Sequence, residues 1–363
     1  MLKGGININR RVYKYRLWIK HRNQKNLIRR TIRKQQIRAR RTAEHRYNAS
    51  LKINNKYDPK SKKYIFEAPL TFSFTKAADE TTYFFHQLMN FITDKRNFGK
   101  SIYIDISKIT VLTIDALMYL LAIVNNLNTN FYNKYSFSGN SPQNEHVRKM
   151  FVESGFFKYV KRQGQMPLVQ NKDNIQILSG EDSSTAVAKS MSDFVSNLCG
   201  VSVKKCSFLY VMMIELMSNT KKHAYDDTAN ILTPHWYCFA EYDKVDTISF
   251  TFMDTGAGIP STVQRNFPEK IDILKLKGDD KYVISALDGD FRTATKQSHR
   301  GKGLPKIRSF CSAGKINNMR IITNKASVFV RKDGFSSTTV PSALQGTLYY
   351  WEIKLSDLKG EKI

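Results

Sequence analysis

The sequence predicts an α+β protein in three parts. A basic, partly helical arm covers 1–63, a small α/β domain covers 64–165, and a C-terminal α/β sandwich covers 166–363. Three observations carry that division. Residues 1–63 hold 21 Lys and Arg against two acids, Glu44 and Asp58, so they carry +19 of the +27 formal charge. After residue 64, short β-branched runs alternate with apolar stretches at helical spacing. Between 207 and 353, polar residues recur where a helix face or a strand end would place them.

Composition narrows the class. Hydrophobic residues make up 41% and aromatics 12%, enough to build cores, which excludes a wholly disordered chain. No run of about 18 apolar residues is present, so no membrane-spanning helix is expected. The basic N-terminus lacks the apolar stretch of a secretory signal, so a cytoplasmic location is expected. Cys199, Cys206, Cys238 and Cys311 form no CxxC pair and read as reduced thiols.

The arm comes first. Arg29, Arg30, Arg33, Lys34, Arg38, Arg40 and Arg41 crowd one segment, with Tyr13, Tyr15, Trp18 and Tyr47 within or beside the cationic stretch. Such an arm would bind RNA or DNA in a salt-dependent way, because each phosphate contact releases a counterion. Its aromatics could stack on unpaired bases. An acidic protein partner or a solvated basic helix would use the same residues. Gln24–Ala43 lacks Gly and Pro and predicts a helix. Lys52–Lys63, with its Asn, Asp, Pro and Lys, reads as a linker.

In the middle segment, Ile102–Ile106 predicts a buried strand and Ile114–Leu127 a helix. Tyr135–Ser138 alternates as a short strand, closed by Gly139-Asn140-Ser141-Pro142. His146–Phe151 reads as a short helix ending near Gly155. The string Ile102-Tyr103-Ile104-Asp105-Ile106-Ser107, followed by Thr113-Ile114-Asp115-Ala116-Leu117, resembles the STAS family of anti-sigma-factor antagonists over about 64–160. That family carries a phosphorylatable serine after the aspartate. Ala116 stands there in this chain, so the resemblance implies no phosphoserine switch at that position.

The C-terminal part carries the chemistry. Phe208–His223 predicts a helix, largely buried because its first ten residues are apolar almost all round. Glu215, Asn219 and His223 recur at i, i+4 and i+8, one stripe of that helix. A buried helix presents such a stripe when something polar faces it. Thr247–Met253 alternates as a strand and runs into Asp254-Thr255-Gly256-Ala257-Gly258, where the glycines would let a ligand approach the backbone. In His299-Arg300-Gly301-Lys302-Gly303-Leu304-Pro305, Gly-Lys-Gly before a helix offers N–H groups and positive charge to phosphates. The spacing is not that of a P-loop. Gln345-Gly346-Thr347 reads as a turn entering a strand.

The order of these four segments resembles the GHKL, or Bergerat-fold, ATPase superfamily over about 185–355. DNA gyrase, a class of heat-shock chaperones, histidine kinases and mismatch-repair ATPases belong to it. The resemblance implies a sheet covered on one face by the module's helices, with ATP between helix and lid. The sheet is expected to have helices on one face only. The resemblance implies that Asn219 ligates Mg2+ and that Glu215 orients or deprotonates the attacking water. Lys222 or His223 would lie near the phosphates. Asp254 would accept from the adenine amino group, Gly256 and Gly258 would pack on base and sugar, and Thr347 would complete that pocket. Arg300, Gly301, Lys302 and Gly303 would form the lid.

Three functions follow from this reading. The first is an ATP-driven conformational switch or slow ATPase, in which lid closure alters dimerisation or binding of a protein partner while the arm holds nucleic acid. The second is a serine/threonine kinase of the anti-sigma type acting on a partner. The third is a non-catalytic nucleic-acid-binding scaffold with structural ATP. No phosphoacceptor helix of the histidine-kinase kind is evident around His45. A STAS-like domain joined to a GHKL module resembles components of bacterial stress signalling or anti-phage defence.

Overall fold

The computed structural model describes residues 55–129, 131, 134–160, 171–223, 232, 235–291 and 303–360, with the backbone alone at 55 and 221–223. Tyr15, Trp18, Ile19, Arg22 and Asn23 are also described. The expected helix at 24–43 and the cations from Arg29 to Arg41 lie outside these residues. The chain divides into two compact units, Met1–Lys52 and Ile53–Ile363. In the first, Tyr15 and Trp18 are exposed and stack at 6.0 Å, with the Arg22 guanidinium 5.1 Å from the Trp18 ring.

The second unit opens with a hairpin where a linker is expected. Strands β1 (Asn55–Asp58) and β2 (Lys63–Glu67) pair antiparallel. The Asp58 carboxylate accepts the Lys60 amide at 3.1 Å and the Ser61 hydroxyl at 2.6 Å. The polar residues that suggest a linker are therefore the turn of this hairpin.

Next come β3 (Thr71–Phe72), α1 (Ala78–Thr93), β4 (Ser101–Asp105), β5 (Val111–Leu112), α2 (Ile114–Thr129), β6 (Ser136–Gly139) and α3 (Glu145–Glu153). The strand, helix and turn expectations of the middle segment are met within a few residues. Sheet order is β1-β2-β4-β6, with β2, β4 and β6 parallel, while β3 and β5 form a small parallel pair. Asp115, at the position of the STAS-like motif, is buried in the first turn of α2. Its carboxylate accepts the amides of Phe74 at 3.2 Å, Thr75 at 3.1 Å and Ala116 at 2.6 Å, and the Thr113 hydroxyl. It clamps the loop after β3 onto α2.

The C-terminal part contributes β7 (Asn174–Gly180), α4 (Thr185–Cys199), α5 (Ser207–His223), β8 (Trp236–Tyr242) and β9 (Thr247–Asp254). Helices α6 (Ile259–Asn266), α7 (Pro268–Leu274), α8 (Asp279–Asp288) and α9 (Gly303–Ser312) follow. Strands β10 (Asn317–Val330) and β11 (Phe335–Lys354) and helix α10 (Leu355–Lys359) end the described part. The five strands run β10-β11-β9-β8-β7, each neighbour antiparallel.

Gln345-Gly346 is not a turn entering a strand. β11 runs through it, and the register shifts from Asn324↔Leu344 to Thr323↔Thr347, so Gln345 and Gly346 form a bulge. Gly346 has φ +96°, and a Cβ there would collide with the Asp254 carbonyl.

Both faces of this sheet are covered by helices, where one covered face is expected. Trp236, Cys238, Phe250, Phe252, Tyr349 and Trp351 lie in one core with Met191, Leu209, Met212 and Leu216 of α4 and α5. Tyr237, Phe239, Met253, Ile322 and Leu348 lie in a second core with Phe85 of α1 and Tyr119 of α2. The module's own helices thus cover one face, and the α/β segment before it covers the other. Asn125 donates to the Tyr237 hydroxyl at 3.0 Å, and Arg320 donates to the Thr75 carbonyl across the same seam. No described helix is long and apolar enough to cross a membrane. All four cysteines are buried free thiols.

A shared core predicts that Ile53–Ile363 melts as one unit. Scanning calorimetry should give one transition for it. Leu348→Ala should lower that transition, at a cost of about 2–5 kcal/mol. Two separated transitions, with only one moved by the substitution, would contradict the shared core.

Candidate functional site

Helix α5 holds itself to the sheet through Phe208, Leu209, Met212, Met213, Leu216 and Met217. That packing fixes the angle at which its polar stripe emerges. Glu215 and Asn219, one turn apart, are half-buried. The side chains of Lys222 and His223 lie outside the described residues.

Gly303, the first residue of α9, is buried against that stripe. A Cβ at Gly303 would stand 2.9 Å from Glu215 Oε2 and 3.2 Å from Asn219 Nδ2. A side chain at Gly303 would therefore displace the Glu215 carboxylate from the position it holds. The sequence stripe and the end of the expected lid therefore meet in space. Arg300, Gly301 and Lys302 lie outside the described residues. Ile307 and Cys311 anchor α9 in the core below.

A second polar group forms at the strand ends. Side chains alternate along β9, and Asp254 follows Ile248, Phe250 and Phe252 on the side that α5 covers. Thr347 on β11 is the cross-strand partner of Asp254, and Thr323 on β10 is the partner of Thr347. Paired residues share a face, so the three polar side chains form a row across β9, β11 and β10. All three are buried, at 7%, 2% and 0% exposure.

Their hydrogen bonds hold the row in place. Asp254 Oδ1 accepts the Gly256 amide at 2.9 Å, and the Thr347 hydroxyl and amide also bond to the carboxylate. The Thr323 hydroxyl donates to the Gly346 carbonyl at 2.9 Å and accepts the Ile259 amide at 3.1 Å. Thr255 is tied on both sides: its amide donates to the His235 carbonyl at 3.1 Å, and its carbonyl accepts Gln345 Nε2 at 3.0 Å. Gly258 lies against Thr323 and Asn324. Asn324 donates to the Ser261 hydroxyl at 3.0 Å, and its Oδ1 has no partner among the described residues.

Burial pushes the Asp254 carboxyl up to about 7, against the hydrogen bonds from Gly256 and Thr347 that pull it down. A carboxylate kept at such cost is more than a strand terminator.

Of the residues singled out in the sequence, the structure brings Glu215, Asn219 and Gly303 into one group, and Asp254, Gly256 and Thr347 into another. Both lie on the α5 side of the sheet. Thr323 and Asn324 belong to the second group and carry no sequence signal, and Gln345, read in the sequence only as part of a turn, joins them through the Thr255 carbonyl. Thr323 is one polar residue in the run Ile321-Ile322-Thr323, and only the β10–β11 register reveals its neighbour.

No family model matches the chain, and no curated protein matches it.

The Asp254 carboxyl has its ordinary value of 3.8 in the unfolded chain and about 7 in the folded one. Between those values the folded state holds a proton that the unfolded state has lost. Stability therefore falls as pH rises through that window and levels off above it. The shift corresponds to at most about 4 kcal/mol. Asp254→Asn removes the charge and keeps the shape. In denaturant titrations it should match the wild type near the acid end of the window and exceed it by about 2–4 kcal/mol above the upper end. A variant less stable than wild type in mild alkali would show that the ionised carboxylate stabilises the fold.

Proposed function

We propose that the protein is an Mg-ATP-binding ATPase of the GHKL type that works as a conformational switch. The observation that carries this reading is the seat of Gly303 on Glu215 and Asn219. An acid, an amide and the root of a cation-bearing glycine loop converge from distant parts of the chain. Hydrolysis of a phosphoanhydride needs such a set: a proton acceptor, a hard oxygen ligand and a closing loop.

The residues fit the cofactors. Asn219 offers a hard amide oxygen, and Asp254 offers a buried acceptor beside two hydroxyls, with Oδ1 held by Gly256. Bound Mg2+ would neutralise phosphate charge and align the reacting oxygens. Asn219 would hold it. Glu215 would take the proton of the attacking water. Asp254, ionised, would accept from the adenine amino group, with Thr347 beside it. Arg300, Gly301, Lys302 and Gly303 would close over the phosphates, and Lys222 or His223 would add charge there.

The output runs through the sheet. Strands β9 and β11 touch the proposed nucleotide side with one set of side chains and α1 and α2 with the other. Closure of the loop would bear on that second layer and, through it, on a protein partner or a second copy. The basic arm would hold RNA or DNA, with Tyr15, Trp18 and Arg22 as a stacking surface.

The test uses full-length protein, Mg2+ and ATP labelled on the γ-phosphate. Free phosphate should appear, and Glu215→Gln should slow its release by about 10²–10⁴-fold while ATP still binds. Asn219→Ala should lose release as well. Label transferred to a partner protein instead would replace the ATPase with a kinase, and ATP bound without either outcome would leave a scaffold.

Nucleotide affinity should also titrate. Below about 7, Asp254 takes up a proton and ceases to be a pure acceptor. Affinity for adenine nucleotides should fall about tenfold from one pH unit above that value to one below it. Equilibrium binding of a fluorescent ATP analogue would measure it, and a flat profile would remove Asp254 from the base pocket.

A further inference from the structure

One buried hydroxyl holds two backbone groups that lie outside regular pairing. The first is the Ile259 amide, in the first turn of α6, where amides have no partner within the helix. The N-cap of α6 is Gly258, which has no side chain to supply one. The second is the Gly346 carbonyl, in the bulge where the register of β10 and β11 breaks. Thr323 answers both. Its hydroxyl accepts the Ile259 amide at 3.1 Å and donates to the Gly346 carbonyl at 2.9 Å.

The chain bends around this point. The ladder steps from Thr323↔Thr347 to Asn324↔Leu344, and Asn324 adopts φ +48°, a left-handed conformation that asparagine tolerates. The Asn324 amide then reaches Ser261, one turn into α6, at 3.0 Å. Gly258, with φ +85°, comes so close that a Cβ there would stand 2.7 Å from the Thr323 oxygen. Strand β10, the bulge of β11 and the loop after β9 converge on that oxygen, which lies in a fully buried residue.

The two segments it joins are the ones that flank the proposed base contacts. Ile259 ends the glycine loop that begins at Asp254, and Gly346 immediately precedes Thr347. Asp254 and Thr347 come from different strands, so their relative position depends on what holds loop to bulge. Thr347 Oγ1 also stands 3.3 Å from the Thr323 hydroxyl.

We propose that Thr323 is a positioning residue of the base pocket: its hydroxyl ties the loop after Asp254 to the bulge before Thr347 and so sets the spacing of the two groups that meet the base. Thr323 acts through these residues and touches no ligand itself. The inference rests on the nucleotide reading above. Valine at this position keeps the shape of threonine but neither accepts nor donates. The Ile259 amide and the Gly346 carbonyl would each lose a bond in a closed interior, and the loop and the bulge would part to find other partners.

The test is equilibrium binding of a fluorescent ATP analogue to the full-length protein with Mg2+, displaced by unlabelled ATP or by inorganic tripolyphosphate. Tripolyphosphate carries the phosphate chain without a base. Thr323→Val should weaken ATP at least about tenfold, the scale of one lost hydrogen bond, while tripolyphosphate stays within about twofold of the wild type. Thr323→Ser keeps the hydroxyl and should restore ATP to within about twofold. Should the valine variant not fold, Thr323→Cys, of similar size but a weak donor, takes its place with the same expected split. A merely structural role would weaken both competitors together, and that result overturns the proposal. So does wild-type ATP affinity in Thr323→Val or Thr323→Cys, or failure of the serine to restore it. A wild type that binds the analogue while the variants show no split removes this inference alone; a wild type that binds no analogue removes the nucleotide reading and this inference with it.

Discussion

Strands β8 and β9 together put large apolar side chains on both faces of the sheet. Ile248, Phe250 and Phe252 enter one core, and Met253 enters the other. β8 repeats this, with Trp236 and Cys238 on one side and Tyr237 and Phe239 on the opposite one. A sheet of this kind cannot leave either face to water, because each large side chain gains about 1.5–3 kcal/mol from burial. Two layers must therefore cover it. Helices α4 and α5 supply one, and α1 and α2 supply the other. The two segments read as separate domains in the sequence are held together by that requirement.

The same constraint decides where polar chemistry can lie. With both faces filled, a polar group is tolerated only at strand ends or where a covering layer stands off. Asp254 and Thr347 occupy the ends of β9 and the bulge of β11. Glu215 and Asn219 lie on the half-buried stripe of α5, on either side in sequence of Leu216 and Met217, which enter the core. Gly346 makes the first group possible, because its positive φ brings β11 against the Asp254 carbonyl without a side chain between them. Gly303 lies against the second group, although there a side chain would meet only the ends of the Glu215 and Asn219 side chains.

Legibility in the sequence followed the range of the interactions. The helix over 208–223 and the strand over 247–254 were readable because their patterns are local and unbroken. Glu215, Asn219, Asp254 and Thr347 were readable as candidates because spacing on one element, and the order of elements, belongs to the chain itself. The hairpin over 55–67 was not, since Asp58-Pro59-Lys60-Ser61 serves a linker or a tight turn equally well. The length of β11 was hidden by Gly346, which reads with Gln345 as a turn. The register absorbs the two between Leu344 and Thr347 as a bulge. Thr323 acquires meaning only from a cross-strand partner, and no single-strand pattern contains that information.

A rigid two-sided sheet also bears on how the molecule could transmit a signal. Ser249, the third residue of β9, and Asp254, its last, are five residues or about 17 Å apart along the strand. That strand is flanked by close-packed cores that deform little. The Asp254 carboxyl is bonded to Gly256 and Thr347, and Thr347 lies against the Thr323 hydroxyl. The next residues along the two strands, Met253 and Leu348, face the other core, which α1 and α2 share. The polar row at the strand ends and the layer that the N-terminal α/β segment provides are thus a single residue apart along β9 and β11.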